Sequence, residues 1–222
     1  MPIPIHALPW DEIFRRDGRV FDSAAPVVHH VAEILQDRGC RSIVDLGCGS
    51  GRHTVFLTQR GFDVIGLDNS PKALSLSREW LTQEGLAARL ALADVRRPLP
   101  LRPGFCDAVI STQVIHHALV DTVRGTAREI HRILRPGGAV FLSVPSGTDP
   151  EDTFVEVEPG TFVPTSGDEA GLPHHIFSGE ELASLFPGYT VLELDHIGGQ
   201  IWTLLAIRPP RRRRSGNPAR SS

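Results

Sequence analysis

The stretch Val-Asp-Leu-Gly-Cys-Gly-Ser-Gly at residues 44–51 decides the fold of this chain. It joins a short apolar strand at residues 42–46 to a predicted helix at residues 52–60. Its three glycines at alternate positions let the backbone turn tightly and approach a ligand closely. Because open α/β sheets bind ligands at the carboxyl ends of their strands, we expect a binding site at this turn.

Short apolar runs and helical stretches alternate on either side of the turn. Strands are predicted at residues 42–46, 63–67, 89–93, 108–111 and 139–144, with helices at residues 52–60, 71–84 and 122–134. This alternation is typical of a parallel sheet wound by right-handed crossovers. A capped helix at residues 179–186 and strands at residues 189–194 and 201–207 predict a closing antiparallel hairpin.

Three zones depart from this alternation. Residues 1–38 are predicted to be helical, with Trp10 and Phe14 as aromatic anchors. Residues 145–177 show no clear period, and so long an irregular stretch is usually functional or disordered. Residues 208–222 are rich in Arg, Pro and Ser, which predicts a disordered tail. We therefore expect one domain at residues 1–207, followed by that tail.

Charge is distributed unevenly along the chain. The formal net charge is −3, but six of the 23 lysines and arginines lie at residues 208–222, where there is no acid. The rest of the chain is therefore acidic, which argues against a nucleic-acid groove, because such a groove needs a basic face.

Other bulk features predict a cytoplasmic protein. No apolar run approaches the roughly 20 residues of a membrane span, and the start of the sequence lacks a signal-peptide pattern. The three cysteines have no CxxC spacing, so we expect reduced, packed thiols rather than a disulfide framework or a zinc site.

The glycine-rich turn could bind a dinucleotide or a different nucleoside ligand. The pyrophosphate fingerprint G-x-G-x-x-G is not satisfied from Gly47, because the third position after Gly49 is Arg52. Asp45, just before the turn, would sit badly beside a pyrophosphate. It would suit the ammonium group of an amino-acid moiety, directly or through water.

Two further acids lie at the ends of the next two predicted strands. Asp68 can accept hydrogen bonds from both hydroxyls of a ribose. Asp94 can accept one from the exocyclic amine of adenine, while the Val95 backbone N–H meets a ring nitrogen. Each acid alone could instead be a helix N-cap or a loop residue. Three acids at successive strand ends favour a nucleoside site.

These segments together resemble class I S-adenosylmethionine-dependent methyltransferases. VDLGCGSG (44–51) is similar to their motif I, GLDNSPKAL (66–74) to the acidic loop after their second strand, and Ala93-Asp94-Val95 to their adenine site. FCDAVISTQVIHHAL (105–119) and EIHRILRPGGAVFLSV (129–144) resemble their fourth strand and their helix-PGG-strand unit. The resemblance covers roughly residues 35–145.

The resemblance implies the fold, the cofactor and its contacts. The fold would be a Rossmann-like α/β/α sandwich with a seven-stranded, mostly parallel sheet, helices on both faces and the last strand antiparallel. The cofactor would be S-adenosyl-L-methionine, released as S-adenosyl-L-homocysteine. The predicted cofactor contacts are Asp45, Gly47, Cys48, Gly49, Gly51, Asp68, Asn69, Asp94, Val95 and Gln113.

Histidines are the main candidates for acceptor chemistry. Methyl transfer is an in-line displacement in which the protein chiefly orients the reactants, so a general base is optional. His117 is the preferred site residue in the loop that faces the sulfonium in this family, with its neighbour His116 as a further acceptor contact. His174 and His175, in the irregular zone, complete the candidate catalytic set with His117. Capping or packing roles are the alternative for each.

The irregular zone and the N-terminal helix are predicted to cover the active site. Glu156 and Glu158 lie on one face of a strand-like segment, and Trp10 and Phe14 could form a lid over the sulfonium. A solvated acidic hairpin and a helix packed on the sheet are the alternatives. A metal site from Glu and His has poor spacing, so no metal is assigned.

We interpret the chain as a small-molecule methyltransferase, monomeric or homodimeric, with no membrane partner. One alternative is a nucleic-acid methyltransferase that grips RNA with its Arg-rich tail, although Ser-Thr-Gln-Val stands at residues 111–114 in place of an NPPY-type motif. The other is a protein that binds S-adenosylmethionine without transferring its methyl group.

Overall fold

The computed structural model describes residues 9–148 and 153–211. Its strands are β1 (Ser42–Leu46), β2 (Asp63–Asp68), β3 (Arg89–Leu92), β4 (Cys106–Thr112), β5 (Leu134–Pro145), β6 (Phe154–Glu158), β7 (Thr161–Pro164), β8 (His174–His175), β9 (Thr190–Ile197) and β10 (Ile201–Ile207). Its helices are α1 (Pro9–Asp17), α2 (Pro26–Asp37), α3 (Arg52–Gln59), α4 (Pro71–Gln83), α5 (Val120–Ile133) and α6 (Gly179–Ser184).

Seven strands form the main sheet in the order β3-β2-β1-β4-β5-β10-β9. The strands from β1 to β5 pair in parallel, whereas β10 is antiparallel to both of its neighbours, β5 and β9. This confirms the predicted mostly parallel sheet with an antiparallel last strand. The chain order reverses direction across the sheet between β1 and β4, which is where open α/β sheets bind ligands.

Helices cover both faces of the sheet, as predicted. Val44 and Leu46 of β1 belong to one buried cluster, together with apolar residues of α5 and α6. Ile43 belongs to the other cluster, with residues of α2 and α3. Strands that are buried on both faces appear in sequence as continuous apolar runs, which is why their positions could be predicted.

The Pro136-Gly137-Gly138 segment differs from its predicted role. It was expected to end the helix as a turn, but α5 already ends at Ile133 and β5 runs through the segment. A Cβ atom at Gly138 would lie 2.8 Å from the Asp107 carbonyl oxygen. Glycine therefore allows β4 and β5 to approach each other where their register shifts.

Residues 145–177 contain more regular structure than their sequence indicates. β6, β7 and β8 form a second, antiparallel sheet of three strands. Of the predicted tail, residues 212–222 lie outside the described part of the chain, as do residues 1–8 and 149–152. All three cysteines are buried and unpaired, as expected. Within the described ranges, no helix has the length and apolar character needed to cross a bilayer.

Candidate functional site

A cavity lies at the carboxyl ends of β1, β2 and β4. Most of the predicted cofactor contacts line it, namely Gly47, Cys48, Gly49, Asp68, Asn69, Asp94, Val95 and Gln113. Predicted acceptor residues Trp10, Phe14 and His117 line the same cavity. The structure therefore brings both predicted groups to one site.

The glycine-rich turn forms the floor of this cavity. The N–H groups of Gly47 and Cys48 both donate to the Leu67 carbonyl oxygen, at 2.7 and 3.0 Å, which fixes the turn against the end of β2. Gly47 and Gly49 have φ angles of 76° and 55°, which L side chains rarely adopt. A Cβ atom at Gly47 would lie 2.3 Å from Val114, so only glycine leaves this space open.

Asp68 connects the turn to the next strand. One carboxylate oxygen accepts the Gly49 N–H at 2.8 Å and the other accepts the Ser70 N–H at 2.8 Å. Burial raises the pKa of Asp68, and the backbone N–H donors oppose this shift. Because the side chain also lines the cavity, a remaining lone pair of the carboxylate can accept a ribose hydroxyl.

Asp94 is held by a neighbour that the sequence analysis did not single out. The Arg96 guanidinium donates to both carboxylate oxygens, with Nε–Oδ1 and Nη2–Oδ2 distances of 2.9 Å. Burial acts to raise the pKa of Asp94, but the Arg96 hydrogen bonds outweigh it and lower the pKa. Both side chains line the cavity, so an adenine amine would share this carboxylate with Arg96.

Two predicted cofactor contacts lie outside the cavity walls. Asp45 is fully buried beneath the turn, where it accepts a 2.6 Å hydrogen bond from Thr54 of α3. Burial raises the pKa of Asp45 to about 6, although the Thr54 hydrogen bond opposes the shift. Gly51 is the N-cap residue of α3, and a Cβ atom there would lie 2.4 Å from the Ser77 hydroxyl of α4. Its role is therefore close packing of two helices.

His53 is a cavity residue that the sequence analysis missed. Its Nε2 accepts the Ala25 N–H at 3.2 Å, and its Nδ1 lies 3.2 Å from the Thr112 hydroxyl. Burial, reinforced by the charge of Arg52, lowers the pKa of His53 to about 3, so the ring is neutral at physiological pH. Its position one residue into α3, after the glycine-rich turn, is the sequence signal that could have found it.

The acceptor end of the cavity contains His117 and aromatic residues of α1. The Trp10 ring centroid lies 6.3 Å from that of His117 and 5.7 Å from that of Phe14. The indole N–H of Trp10 is buried and has no hydrogen-bond partner among the described residues. Burial, with a smaller effect from His174, lowers the pKa of His117 to about 3. This makes it a weaker base than an ordinary histidine.

His174 and the unpredicted Glu169 lie beside His117. The Glu169 carboxylate is 3.4 Å from Nε2 of each histidine, through one oxygen to His117 and the other to His174. No spacing pattern indicates Glu169, because it lies in the irregular zone, 52 positions after His117. Only the folded chain brings these three side chains together.

His116 and His175 have packing contacts rather than cavity positions. The His175 N–H donates to the His116 carbonyl oxygen at 2.8 Å, and the His175 ring contacts Thr161 and Glu181 at 2.7 and 3.1 Å. Ser178 caps α6 through the Glu181 N–H as predicted, but the Glu181 side chain contacts His175 instead of completing a capping box.

Glu156 and Glu158 do not reach the cavity either. Glu158 accepts the Val120 N–H at 2.6 Å at the start of α5, and also the Thr161 hydroxyl. Glu156 is exposed and accepts the Gly160 N–H at 3.0 Å within its own hairpin. A register irregularity between the two glutamates breaks the alternation that predicted a shared face.

Further cavity residues were absent from the predicted set. They are Phe21, Ser50, Arg52, Arg96, Thr112, Val114 and Leu172, in addition to His53. Several are direct neighbours of predicted contacts and could have been found by widening each motif by one or two positions. Leu172 lies in the irregular zone and had no sequence signal.

Comparison with known sequences finds methyltransferases. A family model described as a methyltransferase domain matches residues 44–142. A ubiquinone biosynthesis O-methyltransferase of Azoarcus sp. is 32% identical over 103 residues, covering 46% of this chain and 43% of that protein. A tRNA (carboxymethyluridine(34)-5-O)-methyltransferase of Macaca fascicularis is 36% identical over 117 residues, covering 52% of this chain and 16% of that protein. The chain spans less than half the length of either relative.

The fold also has a solved counterpart that extends beyond the matched residues. Burkholderia thailandensis 1,6-didemethyltoxoflavin-N1-methyltransferase, solved with 1,6-didemethyltoxoflavin and S-adenosylhomocysteine, aligns with a TM-score of 0.67 and 19% identity. The alignment covers 94% of this chain and 93% of that one. Residues 44–142 therefore match a methyltransferase domain, and the chain shares the fold of a solved S-adenosylhomocysteine-bound methyltransferase.

Proposed function

We propose that this chain transfers the methyl group of S-adenosylmethionine to a small-molecule acceptor. The observation that carries the proposal is one cavity lined both by the glycine-rich turn and by aromatic side chains. The turn, which has no side chains at Gly47 and Gly49, and the Asp68 carboxylate suit an adenosyl group. Trp10, Phe14 and Phe21 suit the sulfonium and a small, partly apolar acceptor.

The cofactor supplies an electrophilic methyl group, and the chain positions the acceptor in line with it. The acceptor atom donates an electron pair to the methyl carbon, and the electron pair of the broken carbon–sulfur bond stays on sulfur. The buried Trp10 N–H lacks a partner among the described residues, and such donors are costly to leave unpaired. We propose that it donates to an oxygen or nitrogen of the acceptor.

The proposal extends to domain organisation. Residues 1–207 would act as one domain in which the N-terminal segment is a lid and residues 145–177 cover the acceptor. Arg16 of α1 donates to both carboxylate oxygens of Asp168 at 2.7 Å, so the two segments are in contact. Trp10, Phe14 and Phe21 of the N-terminal segment and Leu172 of residues 145–177 line the cavity.

Calorimetry with S-adenosylhomocysteine tests the cofactor site. Asp68→Ala removes the acceptor of the Gly49 N–H and of the ribose, so we expect affinity to fall at least about 100-fold, the loss typical of a charged hydrogen-bond partner. Asp63→Ala is the matched control, because Asp63 lies at the other end of β2 in an exposed pair with Arg89. Unaltered affinity in Asp68→Ala would refute the site.

The acceptor class is tested by measuring S-adenosylhomocysteine release with a panel of phenols, thiols, amines and carboxylates. Trp10→Phe keeps the ring but removes the N–H, so we expect a higher KM for the acceptor and an unchanged affinity for S-adenosylhomocysteine. Cofactor binding without turnover of any acceptor would instead favour a protein that binds but does not transfer.

A tRNA acceptor is the second candidate, because the relative from Macaca fascicularis is named for tRNA methylation. The acidic character of residues 1–207 opposes it. Two results together would establish tRNA as the acceptor in place of a small molecule. The protein would methylate bulk tRNA only while residues 209–222 are present, and it would turn over no small acceptor.

A further inference from the structure

Three potential metal ligands meet at the edge of the cavity. They are His117 in the loop after β4, Glu169 in the irregular zone and His174 in β8. One ligand atom of each lies within 4.8 Å of the others. The side chains are 15%, 30% and 14% exposed, so the group is partly accessible without being fully solvated, and His117 lines the cavity.

The distances between the Glu169 carboxylate and the two imidazoles are compatible with a shared ion. The carboxylate oxygens of Glu169 lie 3.4 Å from His117 Nε2 and 3.4 Å from His174 Nε2. An N–H···O hydrogen bond usually spans about 2.7–3.2 Å. Two ligand atoms that each lie about 2.1 Å from one ion at the tetrahedral angle are roughly 3.4 Å apart.

The backbone around the three ligands is held from outside the cluster. The His175 N–H donates to the His116 carbonyl oxygen at 2.8 Å, which joins the residues next to both histidine ligands. Asp168, next to Glu169, is paired with Arg16 of α1 through two 2.7 Å hydrogen bonds. Such outer contacts are the usual means by which proteins orient metal ligands.

We propose that His117, Glu169 and His174 bind one divalent transition-metal ion at the acceptor end of the cavity. Two imidazole nitrogens and one carboxylate suit ions such as zinc, cobalt or iron(II), and three protein ligands leave coordination positions open. His117 also lines the cavity. An acceptor oxygen or sulfur bound in the cavity could occupy an open coordination position. This last role rests on the proposed methyl transfer, whereas metal binding does not.

The test uses the full chain after treatment with a chelator. Zn²⁺ is titrated by calorimetry and Co²⁺ by visible absorption, whose intensity reports coordination by protein ligands. We expect one equivalent of each ion to bind. Glu169→Gln and His174→Ala should each weaken the affinity at least about 100-fold, because each removes a ligand. His30→Ala is the control, because it removes an exposed histidine paired with Glu193 elsewhere on the surface.

S-adenosylhomocysteine affinity is measured for every variant, so that misfolding is recognised. The metal proposal is overturned if the wild type, Glu169→Gln and His174→Ala bind metal with equal affinity, or if no Zn²⁺ binds at all. Neither result would contradict the methyltransferase function. If metal binding depends on these ligands but the protein methylates no acceptor, the ion site is supported and the proposed methyl transfer is overturned. The experiment therefore distinguishes failure of the metal site from failure of the proposed function.

Discussion

The two ends of the cavity are built in different ways. At the cofactor end, the key contact joins Gly49 and Asp68, 19 positions apart, through a backbone N–H at the tip of a parallel sheet. At the acceptor end, the rings of Trp10 and His117 meet across 107 positions, and His117 lies beside Glu169 across 52. The first end is determined by strand geometry, and the second by side chains of segments far apart in sequence.

This contrast explains why one end is recognisable in the sequence and the other is not. A tight turn between a strand and a helix requires glycine wherever φ is positive, so its glycines lie close together and form a recognisable sequence pattern. At the acceptor end, side chains from distant parts of the chain line the cavity, so no local sequence pattern identifies them. Substitutions at the two ends should therefore have different consequences.

The largest effect is expected at Gly47. Gly47→Ala places a Cβ atom within 2.3 Å of Val114, whereas Gly39→Ala, at a similar positive φ, places one in open space. Both changes should destabilise the fold by about 1–2 kcal/mol through backbone strain. Displacement of Val114 into the cavity should also weaken S-adenosylhomocysteine binding about 10- to 100-fold in Gly47→Ala alone. Calorimetry on both variants separates strain from steric overlap, and equal affinities would contradict this explanation.

A smaller effect is expected from the protonation of His53. Its folded-state pKa of about 3 lies below the value of 6.5 for an unperturbed histidine. The neutral ring therefore contributes stability that is fully present above pH 6.5 and is lost as the pH falls toward 3. Between pH 7.5 and 4.5 the wild type should lose about 2–3 kcal/mol of unfolding free energy relative to His53→Gln.

Urea denaturation of both proteins at the two pH values measures this difference. Other buried histidines titrate in both proteins, so the comparison isolates His53. If the unfolding free energies of the two proteins fell equally with pH, the folded state would not lower the pKa of His53.

The smallest effect is expected from Glu158, which lies outside the cavity, in the irregular zone. Glu158→Ala removes the acceptor of the Val120 N–H at the start of α5 and should cost about 1 kcal/mol, as loss of a helix cap does. Glu156→Ala, on the same strand, removes only an exposed contact within its hairpin and should cost less than about 0.5 kcal/mol. Thermal unfolding of the two variants tests this, and equal losses would mean that the irregular zone does not support α5.

Most of the central sheet could be predicted, and its exceptions have physical reasons. β1 and β10 match their predicted bounds, because strands buried on both faces are continuous apolar runs. β5 was expected to begin after Gly138, but it begins at Leu134. The prediction interpreted Gly138 as a turn residue, whereas this glycine lies inside β5 and allows the strand to approach β4 closely. β6 to β8 pair only with one another, so their order depends on contacts that no local pattern records.

The sequence alone determined the parallel sheet, the glycine-rich turn and the strand-end acids Asp68 and Asp94, because each follows from periodicity or from a conformation that few residues can adopt. Only the tertiary structure decided that Asp45 lies beneath the turn, that Glu158 caps a helix, and that Glu169 joins His117 and His174. These positions depend on how distant segments pack, and packing is a property of the whole chain that no short stretch of residues encodes.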